Sequence, residues 1–254
     1  MPAPIVMVHG AFCGGWAFEA FKAPFEEAGH AVIAPDLPGH APGSRAEAVL
    51  GLSVGDYAKA IAKIIGECEE PPVVIGHSLG GLVAQLAAVQ APIQGLVLLA
   101  PSGPWGESSG TMEDAAVAIG LMSLGAPWFQ TLPPDQGLSA SYGLDRLSSA
   151  DRASVFARMV PESGRALFET FNWWLDPFMA TRVQPAAIDA PALVIAGDRD
   201  RIHGQSSVQA TAARLGAEFR TMPGMSHWLI GEPGWRDVAE ICLAWMESSR
   251  RQAA

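Results

Sequence analysis

Short apolar runs alternate along this chain with longer stretches in which apolar residues recur at helical spacing. The runs IVMV (5–8), AVIA (31–34), VVI (73–75), LVLL (96–99) and LVIA (193–196) are too short for helices and rich in Val, Ile and Leu. Each leads into Gly or Pro within a residue or two, so they read as strands buried on both sides. A weaker sixth run, EFRTM (218–222), is expected at an edge. Between them lie helix-length stretches at 16–28, 54–67, 79–90, 206–215 and 235–247. The second carries Val54, Tyr57, Ala58, Ile61, Ile64 and Ile65 near a 3.6-residue period, and the last carries Val238, Ile241, Cys242 and Trp245. Strand–helix alternation with doubly buried strands predicts an α/β fold: a mostly parallel sheet of about six strands, covered on both faces.

One region breaks the alternation. From about Pro104 to Pro185 no buried strand is visible. Helix-like pieces at 112–124, 151–159 and 164–174 are separated by Pro and Gly. The region holds four of the eight Trp, five of the ten Phe and four of the nine Met. That concentration favours a lid lining a pocket over a second core. The expected division is therefore a core of residues 1–103 and 185–254, with a helical cap over 104–184. Trp105, Trp128, Phe129, Trp173, Trp174 and Phe178 are its candidate substrate-binding residues.

Composition changes the picture mainly by exclusion. With 254 residues, 49% hydrophobic and 17% charged, the chain can bury one large core and is neither disordered nor a coiled coil. The net charge of −10, with Lys and Arg scattered, argues against nucleic acid and anionic lipid as partners. Cys13, Cys68 and Cys242 lie far apart with no CxxC, which fits neither a disulfide framework nor a zinc finger. The start MPAPIVMVHG has no basic, then apolar, leader pattern, and no run of about 18 apolar residues occurs. The expectation is a soluble cytoplasmic protein acting on a small molecule. Oligomeric state is not readable.

Candidate chemistry centres on Gly76-His77-Ser78-Leu79-Gly80, a G-x-S-x-G pattern. The bare pattern is short enough to arise by chance; its position between a buried strand and a helix is what sharpens it. A serine there sits on a strained turn that lifts its hydroxyl clear of the backbone. Leu79, just inside a helix N-terminus, offers a free N–H and a dipole suited to an oxyanion. A serine hydroxyl needs a base. Among six histidines, His227 lies in PGMSHW between the last strand and the last helix. Loops at the carboxyl ends of parallel strands converge, so His227 can reach Ser78. His30 and His40 read as surface residues on polar loops and His203 as a loop residue; the His77 side chain is expected to point away from Ser78. The base needs a carboxylate. In GDRDRI, Asp200 has room for a turn towards the site; Asp198 is the competing, locally capping choice. The turn after the first strand, with Ala11 as donor, is the candidate second half of an oxyanion hole, where each donor is worth about 3–4 kcal/mol of barrier. Phe12 and Trp228 flank these positions and are expected to touch substrate. Asp198, Asp200 and His203 are better explained as an acid turn than as a metal site, and no metal or organic cofactor is implied.

Together HGAFCGGW, AGHAVIAPDLPGHA, GHSLGG, GDRD and GMSHW resemble, in order and over nearly the whole chain, the α/β-hydrolase superfamily. The amino-terminal part is most similar to the branch of plant methylesterases and hydroxynitrile lyases. The resemblance implies an α/β-hydrolase fold starting at what would be the family's third strand, with the two leading antiparallel strands missing. It also implies the order Ser78, Asp200, His227, Ala11 as oxyanion donor and His9 as anchor of its loop. Lyases of that branch carry Thr and Lys where this chain has Gly10 and Trp228, which puts it on the esterase side. The expected activity is hydrolysis of hydrophobic carboxylic esters through an acyl-enzyme. Lactone, thioester or C–C hydrolysis and perhydrolysis use the same triad and stay open. A non-catalytic ligand binder is the remaining reading.

Overall fold

The computed structural model describes residues 2–107 and 110–253. Strands β1 (Ile5–Val8), β2 (Val32–Ile33), β3 (Val73–His77) and β4 (Gly95–Leu99) come first. Strands β5 (Thr131–Leu132) and β6 (Glu162–Ser163) pair antiparallel with each other alone, and β7 (Ala192–Gly197) and β8 (Glu218–Met222) follow. Six strands form one sheet in the order β2-β1-β3-β4-β7-β8, every pairing parallel. Strand β2 is shorter than its apolar run, which runs straight into Ala34-Pro35, where proline has no N–H to give a ladder.

Alternation along each strand builds two cores. Val6, Val8, Val74, Leu96, Leu98 and Val194 face the helices Val54–Gly66, Leu79–Ala88 and Gln205–Leu215. Ile5, Met7, Ile75, Val97, Leu99, Leu193 and Ile195 face Phe18, Phe21, Phe25 and the helix Trp235–Ala253. A period of two on a doubly covered sheet is why the runs look continuously apolar. Helix Val54–Gly66 starts on a capping box: the Ser53 hydroxyl accepts from Asp56 N–H (3.1 Å), and the Asp56 carboxylate accepts from Ser53 N–H (3.0 Å). The stretch 16–28, expected as one helix, is two short pieces, a 3-10 turn Gly15–Phe18 and a helix Ala23–Glu27. Pro24, lacking an N–H, is tolerated only in the first turn and so marks a new start.

Residues 104–184, in which the sequence shows no buried strand, carry helices Met112–Ser123, Ser149–Phe156 and Gly164–Phe171 and also the small β5–β6 ladder. Two-residue strands with the polar sequence Glu162-Ser163 leave no periodic signal to find. Leu121, Leu167 and Phe168 form a small apolar cluster that packs on Ala11, Phe12, Leu132 and Phe171, joining this segment to the end of β1. Among the described residues no helix is long and apolar enough to cross a membrane.

All ten residues of helix Leu79–Ala88 are buried. It crosses so close to β1 that a Cβ on Gly80 would run into the carbonyl oxygens of Val8 and His9. Neither is a side chain that can rotate away. Gly80→Ala is expected to lower stability by about 3 kcal/mol, the upper range for overpacking; an unchanged urea midpoint would contradict this contact.

Candidate active site

Strand β3 runs into the turn that carries Ser78. The serine has φ 55° and ψ −124°, a left-handed backbone for a residue with a side chain. Its neighbours make the turn possible. A Cβ on Gly76 would collide with Gly80 O, and one on Gly81 would come within 2.7 Å of Pro101 Cβ. The turn is clamped from inside the sheet: Ser78 N–H donates to Leu99 O (3.0 Å), and Ser78 O accepts from Ser102 N–H (3.0 Å).

His227 arrives from the loop after β8. Its Nε2 lies 2.9 Å from Ser78 Oγ and its Nδ1 lies 2.8 Å from Asp200 Oδ2. Asp200 Oδ1 is fixed separately, accepting from Ile202 N–H (2.8 Å) and His203 N–H (3.0 Å). Asp200 and His227 are both buried. The two aspartates of GDRD separate cleanly, because the exposed Asp198 accepts from Gly224 N–H (2.7 Å) and so caps the turn that leads to His227. The His227 loop has two further supports. His77 Nε2–H donates to His227 O (2.8 Å), and Ser226 N–H donates to Glu232 Oε1 (2.7 Å). His77 thus turns to the loop that brings His227.

The charges arrange themselves around this pair. Burial alone would push the His227 imidazole down, but the charge and hydrogen bond of Asp200 outweigh it and hold the ring above its usual value. Burial alone would raise Asp200; the facing imidazoles, His227 foremost, keep it below the ordinary carboxylate range. Burial, and then the charge of His227, push His77 down to about 3 and His203 down to about 4. Those two rings are neutral at pH 7, so they add no positive charge beside the His227–Asp200 pair.

The Leu79 N–H opens its helix and has no intrahelical acceptor. Among the described residues the Ala11 N–H has no backbone acceptor either. The two donors lie at the ends of the adjacent strands β3 and β1.

Sequence reasoning misread His40 as a surface residue, and it placed His203 in a loop without seeing that it is buried. His203 is buried; its Nε2 lies 2.9 Å from Ser102 Oγ, and its ring stands edge-on to His227 with centroids 5.2 Å apart. The Asp200 carboxylate, by accepting two N–H groups just ahead of it, folds the chain back and brings His203 inward, a turn that the spacing of Asp200 and His203 permits. His40 is also buried, bonded to Glu162. The aromatic expectations divide. Phe12 joins the cluster at the end of β1 together with Phe168 and Phe171, and Phe171 stacks on His203. Trp228 is buried in the core on the Trp235–Ala253 side of the sheet, edge-on to His77, because the chain folds tightly over it at Gly231. Trp105 and Trp173 meet edge to face, and Trp174 meets Trp173. Trp128 rests on Phe168 but opens, with Phe129, onto a surface groove also lined by Leu50, Gly51 and Arg165. Phe129 and Phe178 are 80% and 84% exposed, so they stand in solvent rather than in an enclosed chamber. The helical period of 164–171, which sets Leu167, Phe168 and Phe171 on one face, is the signal that finds the inward aromatics.

A profile of the alpha/beta hydrolase family matches residues 5–241. The pyrethroid hydrolase of Sphingobium wenxiniae is 36% identical over 100 residues, covering 37% of this chain and 34% of that protein. Methylesterase 9 of Arabidopsis thaliana is 36% identical over 90 residues, covering 34% of each. The matched part of the chain thus spans about a third of the length of these relatives. The crystal structure of an Arabidopsis methylesterase superimposes with a TM-score of 0.72 at 17% identity, covering 95% of this chain and 98% of that one.

Proposed function

Because the chain belongs to the alpha/beta hydrolase family, we propose that it is a serine hydrolase cleaving carboxylic esters of small to medium hydrophobic molecules through an acyl-enzyme. The observation that carries this reading is the unbroken chain of hydrogen bonds from Ser78 Oγ through His227 to Asp200. Ser78 Oγ attacks the ester carbonyl as its proton passes to His227 Nε2. The carbonyl oxygen becomes an oxyanion that accepts from the N–H groups of Ala11 and Leu79. Collapse of the tetrahedral species breaks the bond to the alcohol oxygen, which takes the proton from His227 and leaves. Water then gives a proton to His227, attacks the acyl carbon and releases the acid, restoring the Ser78 hydroxyl.

Asp200 keeps Nδ1 protonated, so that Nε2 is free to act as base, and stabilises the imidazolium formed in each half-reaction. The apolar cluster of Phe12, Leu121, Phe168 and Phe171 beside Ala11 supports an apolar acyl or alcohol group, with residues 104–184 acting as the lid over it. The names of two relatives, a pyrethroid hydrolase and a methylesterase, point to the same bond type. A fluorophosphonate probe is expected to modify the protein once, at Ser78. In a panel of p-nitrophenyl esters, lactones and thioesters, the esters are expected to turn over fastest. Failure of the probe to label Ser78, read by peptide mass, would remove the acyl-enzyme; preference for lactone or thioester would move the substrate class.

A further inference from the structure

The loop after β1 is held at three successive points. His9 Nδ1–H donates to Gly10 O (2.9 Å), while its Nε2 accepts from Leu37 N–H (2.9 Å). A peptide unit is planar, so fixing the Gly10 carbonyl also fixes the Ala11 N–H on the other side of the same unit. The next peptide is held by its own N–H: Phe12 donates to Glu162 Oε2 (3.4 Å). The carbonyl of Phe12 then accepts from Val160 N–H (2.9 Å). Phe12 has φ 63°, a left-handed backbone that a bulky residue keeps only where its surroundings over-determine it. Residues 160 and 162 grip it from both ends.

Glu162 is fully buried, and its carboxylate takes four donors. Oε2 accepts from Phe12 N–H and from His40 Nε2–H (3.0 Å); Oε1 accepts from Tyr57 O–H (2.6 Å) and from Ser163 N–H (2.7 Å). Burial alone would raise this carboxyl, but His40, followed by the hydroxyl and amide donors, holds it below the usual range. A buried anion is costly unless so paired, and the Ser78–His227–Asp200 relay makes no use of this one. It reaches the loop from β6, inside the inserted segment.

The geometry points to Glu162 as a positioning residue for the oxyanion loop: it fixes the peptide that follows Ala11 and thereby the aim of the Ala11 N–H. This rests on the reading of Ala11 as an oxyanion donor. Glu162→Gln is the sharpest test, because an amide must turn its NH2 against two of the four donors. In that variant kcat for a p-nitrophenyl ester is expected to fall at least about tenfold, as a misaimed donor implies, with KM within about twofold. Affinity for a trifluoromethyl ketone, which mimics the tetrahedral oxyanion, should fall by the same factor as kcat/KM. A merely structural role would lower the melting temperature and leave kcat per fluorophosphonate-labelled site unchanged, and that result overturns the proposal. Should the buried amide prevent folding, Tyr57→Phe carries the test: it removes one donor from Oε1 and is expected to lower kcat two- to fivefold with KM held, and wild-type kcat there overturns it. A wild-type protein that neither labels nor turns over ester fails at the prior reading of the site, whereas an active wild type with an unimpaired Glu162→Gln fails at Glu162 alone.

Discussion

Ser78→Ala is expected to lower kcat/KM for a short-chain p-nitrophenyl ester by about 10⁶-fold, the loss seen when a serine nucleophile that works with its base is removed. The residual rate comes from the oxyanion donors and from binding, which Ala leaves in place. Stability is expected to change by less than about 1 kcal/mol. The strained backbone at φ 55° is the same for Ala as for Ser, and among the described residues the Ser78 side chain hydrogen-bonds only to His227. Fluorophosphonate labelling should vanish with the activity. A variant that folds, keeps its melting temperature and hydrolyses the ester at the wild-type rate would take Ser78 out of the reaction.

The second large effect is at Asp200. Its two oxygens have different duties: Oδ1 accepts two backbone N–H groups and Oδ2 faces His227 Nδ1. In Asp200→Asn the amide oxygen must stay with the backbone donors, so the NH2 points at Nδ1. Nδ1 then has to accept, and the ring proton moves to Nε2, where it blocks the transfer from Ser78. The expected loss in kcat is about 10⁴-fold, with little change in KM. The pH profile gives an independent readout. Only neutral His227 can take the serine proton, and Asp200 holds the ring above its usual value. The acid limb of wild-type kcat/KM should therefore have its midpoint above about 6.5. Asp200→Asn removes the charge that raises it, so the limb should move to lower pH. A wild-type midpoint below the ordinary histidine value, or a variant limb that does not move, would contradict the assignment of Asp200.

Wherever a residue's place follows from local pattern, the sequence was a good guide. That IVMV, VVI, LVLL and LVIA form buried parallel strands follows from their length, branching and the glycine or proline after them, and the place of Ser78 between strand and helix is legible in the same pattern. Asp200 was separable from Asp198 because one turn lies between strand end and carboxylate. What could not be read is long-range and polar. His40 meets Glu162 across 122 positions, and Tyr57 meets it across 105. Taken alone, His40 and Glu162 look like residues that belong in water, and the Tyr57 hydroxyl shows no partner. Only the fold supplies the partners that make burial tolerable. The aromatic residues of 104–184 failed for a related reason: a count says that a segment is rich in rings, but which side of each short helix faces inward decides whether Phe168 or Phe129 meets the end of β1.

The Ser78–His227 contact spans 149 positions. A ribosome makes the proposed nucleophile 149 residues before the imidazole proposed to activate it, so on that reading a chain without residue 227 presents only an unreactive hydroxyl. On the proposed mechanism, the hydroxyl of Ser78 gains its base only once the loop carrying His227 has emerged and docked.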